Sequence, residues 1–346
     1  MTQNNKFDEN DFTSVDRKKD HIELAFKSQV NSQQLDSRFY YEPILSTHPK
    51  PESKKPFVFL GKTVQVPLWI SSMTGGTALA RTINSNLARA AKEFGFGMGL
   101  GSCRGLLTDN SYFQDFNIRP IIGEELPLYA NLGIAQIERL LDNKQLFLIS
   151  DLLDRLQADG LIIHVNPMQE WLQPEGDYFK YPPLETIERL MDQLPKHKYI
   201  VKEVGQGMGY ESLKALFQLP LQAVDFAANG GTNFAKLELL RSTQVKQQTY
   251  ETLANVGHSA LDMTLMTNQI VEELGSKLLC KTVIISGGIK SFLDGYYLIN
   301  KINLKAVYGQ ASSFLKYARG TYRELYEYVK SQIEGLDLAH AFLKIR

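Results

Sequence analysis

Cysteine is scarce: Cys103 and Cys280 are the only two in 346 residues, far apart and without metal-ligand spacing. That excludes a disulfide framework and a thiolate metal site, and it points to a reduced compartment. Net charge is also missing. With 38 Lys plus Arg against 38 Asp plus Glu, no global field draws the chain to a nucleic-acid backbone or an acidic membrane, so neither is expected as a partner. Any anion must be captured locally. No uninterrupted apolar run approaches the ~18 residues that a membrane span needs. The start, MTQNNKFDENDF, lacks the charged and apolar regions of a signal peptide, so a cytoplasmic protein is expected. The glycine fingerprint of a dinucleotide fold is absent too. At 43% hydrophobic and 22% charged, the composition leaves out fibrous and disordered chains.

What the chain does contain is a repeat of pattern rather than of letters. Short apolar runs end in small or polar residues and alternate with helix-length stretches. The runs are VPLWISS from Val66, FGFGMGL from Phe94, PLYANL from Pro127, GLIIHVN from Gly160, YIVKEV from Tyr199, AVDFAA from Ala223, KTVIISGG from Lys281 and KAVYGQ from Lys305. Eight such strands, apolar enough to be buried on both faces, predict an α/β fold, a (β/α)8 TIM barrel, with an open doubly wound sheet as the rival. One domain is expected over residues 1–346, with a short N-terminal extension and a flexible tail at 1–12. The connectors are uneven. Arg104–Leu126 reads as loop, and Asn233–Leu279 as a lid-like loop plus a helix.

Barrel chemistry sits at the C-terminal strand ends. Glycines and polar groups fill nearly all of them here: Met73-Thr74-Gly75-Gly76, Gly101-Ser102-Cys103-Arg104, Asn131, His164 with Asn166, Lys202, Gly230-Gly231-Thr232, Gly287-Gly288 and Gly309-Gln310-Ala311. Gly287-Gly288 and Gly309 with Ala311 follow the seventh and eighth strands, where such barrels hold phosphate, although glycines also mark ordinary turns. Lys202 lies inside an apolar run and needs an anionic neighbour. That neighbour is either the electron-rich N1/C2 edge of a flavin ring or a strand-end acid such as Glu203.

Between His164 and Glu170 four polar side chains crowd the end of a strand, with Pro167 enforcing a turn. Glu170 and Asn166 offer the hard oxygens that suit Mg²⁺ shared with a diphosphate; the alternative is a hydrogen-bonded loop. Near the N-terminus, Ser14-Val15-Asp16 reads as a helix start that places Arg17 and His21 on one face beside Lys18. These cations either grip a diphosphate or form a solvated basic face, with Ile22, Ala25 and Phe26 free to pack inward. Arg104 offers a bidentate phosphate clamp.

As a set these residues resemble type 2 isopentenyl-diphosphate isomerase, a flavin-dependent family. The likeness runs from RKKDH at Arg17 through SSMTGG, GLGSCR, ANLG, HVNPMQEWLQPEGD, VKEVGQG and GGT to SGGI at Ser286. It implies FMN held by Met73, Thr74, Gly75, Ser102, Asn131, Lys202, Thr232, Gly288, Ile289, Lys290, Ala311 and Ser312. It further implies a substrate diphosphate at Arg17, Lys18, His21, Ser102, Arg104, His164, Asn166 and Gln169, with Mg²⁺ on Glu170. Gly209, Ala228, Asn233-Phe234 and Lys290 depart from the family's usual Ser, Gly, Ser-Trp and Arg, mostly beside the expected FMN contacts.

The implied reaction interconverts isopentenyl and dimethylallyl diphosphate in isoprenoid biosynthesis. Reduced FMN serves as acid and base, Gln169, Lys202 and His164 act as catalytic residues, and Mg²⁺ bridges the diphosphate. NADPH would enter only to reduce the flavin. A tetrameric or octameric homo-oligomer is expected, and the apolar helix at Tyr322–Ile333 could face either a partner or its own barrel. An FMN-dependent 2-hydroxy-acid oxidoreductase shares the barrel, but its family has His-Gly-Gly-Arg where this chain has Asn229-Gly230-Gly231-Thr232. A non-catalytic flavin-binding barrel has no physical need for Arg17, His21, Gln169 and Glu170 together.

Overall fold

A computed structural model describes residues 12–50 and 56–346. Within them the chain forms two compact units, one ending at Tyr40 and including Arg346, the other Tyr41–Ile345. The predicted tail lies outside the described residues except for Phe12, which opens a helix.

In the N-terminal unit that helix spans Phe12–Leu24, so it starts two residues before Ser14, and Ser14 is not its cap. Arg17, Lys18 and His21 are exposed along it. Ile22 and Phe26, expected to pack inward, are 73% and 82% exposed, because this short unit offers them no apolar face of its own. A 3-10 turn at Ser32–Gln34 follows, closed by a capping box on Asn31.

In the second unit all eight apolar runs become strands. They are β1 (Leu68–Ile70), β2 (Gly97–Gly99), β3 (Leu128–Gly133), β4 (Gly160–His164), β5 (Tyr199–Lys202), β6 (Ala223–Asp225), β7 (Thr282–Ser286) and β8 (Lys305–Gln310). Each pairs in parallel with the next and β8 returns to β1, closing a (β/α)8 barrel. The open-sheet rival is thereby excluded.

The alternation in FGFGMGL has a physical cause. A Cβ on Gly97 would come within 2.8 Å of the Trp69 ring, and one on Gly99 within 2.6 Å of Ile162 Cδ1, so β2 gives up side chains to let Trp69 fill the barrel. Phe59, from a hairpin (Phe57–Phe59 with Lys62–Val64), meets Trp69 edge to face at 6.1 Å, and Trp69 meets Tyr129 in the same way at 6.3 Å.

Two connectors differ from their reading. Residues 104–122 carry a 3-10 turn at Arg104–Leu107 and two single-turn helices, Phe113–Phe116 and Arg119–Ile122. Residues 233–279 form three helices, Phe234–Arg241, Gln244–Ala254 and Ala260–Leu274, rather than a loop and one helix. The first two of these, with helix Pro167–Leu172, gather a separate apolar cluster of Leu172, Ala235, Leu239 and Ala254, flanked by Met168 and Tyr250. The helix read at Tyr322 runs to Phe342 and buries Leu325, Val329, Ile333, Leu336 and Ala339 against its own neighbours, which settles where its apolar face goes. No helix among the described residues is long and apolar enough to cross a membrane.

Candidate active site

Strand periodicity decides what lies at the barrel's upper end. Every second residue points inward, and the last inward position on most strands is polar. Register sets His164 beside Lys202 and Lys202 beside Asp225, while Gly309 opposes Ser286 and leaves space that Ser71 Oγ occupies. Above this layer is a cavity of about 460 Å³, within the usual range for small-molecule sites. Lys202 and Ser286 line its floor, and the glycine loops 230–231 and 287–288 line its wall. These loops press on each other: a Cβ on Gly231 would lie 3.1 Å from Gly288 N, and Gly230, Gly287 and Gly288 adopt φ of +113°, +86° and +73°. Here the glycines are required by conformation and by close approach, beyond marking a turn.

Of the expected FMN residues, Lys202, Thr232, Gly288, Ile289, Lys290, Ala311 and Ser312 line this cavity. Met73, Thr74, Gly75, Ser102 and Asn131 do not. Gly101 brings two of those segments together, since its Cβ would sit 2.6 Å from Thr74 O, and Asn84 Nδ2 pins the same carbonyl at 3.2 Å. Asn131 is engaged by the protein itself. Its amide donates to Leu100 O at 3.1 Å, and its oxygen faces His164 Nδ1 at 2.9 Å. That arrangement puts the ring proton on Nδ1 and leaves Nε2 as an acceptor. Burial, aided by the Lys202 charge, pushes the His164 pKa down to about 3, so the ring is neutral.

The segment after β4 closes on itself. Pro167 opens helix Pro167–Leu172. Glu170, buried, accepts from Asn166 Nδ2 at 3.0 Å and from the Asp177 N–H at 2.8 Å. Gly176 is forced, because any Cβ there would run into Glu170 O. Asp177 also pairs with Arg139 and lies 3.9 Å from Arg104, which joins this motif to GLGSCR. Ser102 and Arg104 are exposed. Gln169 accepts from Asn166 Nδ2 at 3.0 Å, and its Nε2 lies 3.5 Å from Glu238 Oε1. Glu238 sits one turn beyond Phe234, a cavity residue, on helix Phe234–Arg241.

Sequence reasoning missed Asp225, Ser286, Ser71, Ser72 and Glu238. Asp225 carried the same signal as Lys202, a charge within an apolar run, whereas the serines became visible only through strand register. Of the four departures, Ala228, Lys290 and the Phe234 of Asn233-Phe234 line the cavity. Asn233 instead caps its helix and donates to Ala254 O at 3.0 Å. Gly209 lies in a second cavity with His258 and Glu203, so three of the four departures reach the first cavity and one does not. No group of three or more acidic, His or Cys side chains able to hold a metal occurs among the described residues.

No family model matches the chain. It is 35% identical over 331 residues to the isopentenyl-diphosphate delta-isomerase of Rickettsia peacockii (strain Rustic), covering 94% of this chain and 92% of the relative. The enzyme of the same name from Rickettsia prowazekii (strain Madrid E) is 33% identical over 329 residues, with the same coverage. Among solved structures, a flavocytochrome b2 variant with sulfite bound aligns with a TM-score of 0.57 at 14% identity, covering 88% of this chain and 72% of that one. A mandelate oxidase variant aligns at 0.52 and 12%, covering 89% and 88%. Both likenesses are of fold.

Proposed function

The chain belongs to the type 2 isopentenyl-diphosphate delta-isomerase family, and from that premise we propose that it interconverts isopentenyl and dimethylallyl diphosphate on reduced FMN. The observation carrying this reading is a buried lysine at the floor of a cavity walled by two interlocked glycine loops. The residues suit FMN: Ser71 Oγ and Ser72 Oγ, both lining the cavity, are buried without hydrogen-bond partners, and Lys202 supplies positive charge. Gly288, Ile289 and Lys290 with Ala311 and Ser312 would hold its phosphate, and NADPH would serve as reductant. When bound, reduced FMN supplies proton sites and electron density to an alkene that ordinary side chains cannot readily protonate.

The chain's own residues then position and neutralise. Lys202 holds its ammonium in the cavity. Asn166 and Glu238 fix the Gln169 amide from both ends, so it can orient the substrate carbons but is no strong base. Glu170 would hold Mg²⁺, since one carboxylate plus diphosphate oxygens is a common arrangement for that ion and each oxygen keeps a lone pair free. Ser102, Arg104 and His164 would meet the diphosphate, and Arg17, Lys18 and His21 form an exposed basic stripe on their own unit that suits an anion; His164 is neutral as it stands, and a neighbouring dianion favours its protonated form.

Two variants test these roles. Gln169→Asn withdraws the amide by one methylene, and turnover is expected to fall about a hundredfold with FMN affinity unchanged; equal activity removes Gln169 from the site. Glu170→Gln is expected to raise the Mg²⁺ concentration for half-maximal rate about tenfold or more, and an unchanged metal curve would exclude Glu170 as ligand. The function itself is tested by anaerobic incubation with FMN, NADPH, Mg²⁺ and isopentenyl diphosphate, following dimethylallyl diphosphate by NMR. Product is expected only with reduced flavin. An FMN-loaded protein that makes none would overturn the reading. The hydroxy-acid oxidoreductase alternative has no base to use between Asn229 and Thr232.

A further inference from the structure

One buried charge on a strand beside Lys202, outside the lining of the cavity, has no role in the reaction as proposed. Asp225 is 1% exposed. Register places it beside Lys202 on the same inward face of the barrel, where adjacent strands lie roughly 4.8 Å apart. Its Oδ1 accepts from the Ser286 hydroxyl, and Ser286 Oγ accepts in turn from the Ala227 N–H at 2.9 Å. Ala227 adopts φ of +41°, a conformation unusual for alanine, while making that bond. Asp225 Oδ2 has no hydrogen-bond partner.

The other charged or titratable groups facing Lys202 are accounted for. His164, from β4, is neutral. Glu203 follows Lys202 directly, so its side chain leaves by the opposite face of the strand. Its Oε2 is occupied by the N–H groups of Gly205, Gln206 and Gly207 at 2.6, 2.6 and 3.0 Å. Lys202 Nζ itself donates to the Glu203 carbonyl at 2.6 Å, which anchors the ammonium without balancing its charge. No ion pair within 4.0 Å joins the two charges, so the carboxylate acts on the ammonium through the field between adjacent strands, where water cannot screen it.

We propose that Asp225 is a positioning residue that acts through Lys202: its unpartnered oxygen is the counter-charge that keeps the lysine an ammonium, and Ser286 holds that carboxylate in place. The purpose of the arrangement rests on the flavin reading above, whereas the adjacency of the two charges rests on strand register alone. Burial draws the Lys202 pKa down and Asp225, ahead of Glu203, draws it back up, in keeping with the geometry.

The test measures the charge of Lys202 directly. Cyanate carbamylates only the free amine, so the rate of Lys202 modification across pH 6–10, read by peptide mass spectrometry on the full-length chain, gives its apparent pKa. Asp225→Asn is expected to lower that pKa by at least one unit and to speed modification at pH 7.5 about tenfold. Profiles that superimpose would overturn the proposal. Should Asp225→Asn fail to fold, the double variant Lys202→Met with Asp225→Asn decides. If the pair is what matters, removing both charges restores folding, with a melting temperature above that of either single variant; a double variant that also fails to fold overturns it. FMN titration of the unsubstituted protein runs alongside. Absence of FMN binding there would count against the flavin reading while leaving the cyanate result interpretable.

Discussion

Gly287→Ala is expected to weaken FMN binding about a hundredfold in a protein whose barrel stays folded. The position has φ of +86°, and a methyl group there would lie 2.7 Å from Ala228 C and closer still to the Ala228 carbonyl oxygen and amide nitrogen. Left-handed backbone costs an alanine roughly 1–2 kcal/mol, and overpacking against rigid backbone adds about 1–3 kcal/mol. A sum near 3 kcal/mol corresponds to about two decades of affinity if the loop relieves it by moving out of its binding geometry. Gly123→Ala is the control. Gly123 has φ of +82°, and a methyl group added to it would have nothing within 4 Å, so that variant reports the conformational cost alone and should leave FMN affinity untouched. Flavin fluorescence titration of both proteins separates the terms, and equal affinities would remove the glycine loops from the cofactor site.

Lys202→Met should lower isomerase turnover about 10²–10³-fold, the range found when one preorganised electrostatic group is removed. Methionine matches the length of the side chain and keeps the cavity filled, so the loss reports charge rather than shape. Burial already raises the Asp225 pKa, and Lys202 is the strongest influence holding it down. Without Lys202 the carboxyl becomes protonated more readily, which limits the cost of leaving it unpaired. The check is turnover measured at saturating FMN. A variant that retains more than about a tenth of the rate would deny Lys202 its catalytic role.

The barrel was legible because burial on both faces forces continuous Val, Ile and Leu runs, and all eight became strands. Lys202 was legible for a related reason, since a charge in such a run demands a partner. Asp225 in AVDFAA gave the same sign, but its pairing with Lys202 depends on the register of β5 against β6, which local sequence does not encode. The Asn131–His164 contact depends likewise on the register of β3 against β4. Helices Phe234–Arg241 and Gln244–Ala254 escaped detection because they are only weakly amphipathic: each packs on a small cluster, so few apolar residues mark a face. The N-terminal unit shows the converse limit, for Ile22 and Phe26 have helical spacing yet remain exposed.

That small cluster of Leu172, Ala235, Leu239 and Ala254 is separate from the barrel interior. Segments that unfold sub-globally tend to be those with few buried apolar contacts. The helices carrying Gln169 and Glu238 therefore form a cooperative unit weaker than the strand bearing Lys202, and their amides should exchange with solvent deuterium well ahead of those in β5. The residues proposed to act on substrate would then be divided between a slowly and a rapidly exchanging element. If Gln169 acts as proposed, its alignment depends on the helices being closed, whereas that of Lys202 depends only on the barrel strand.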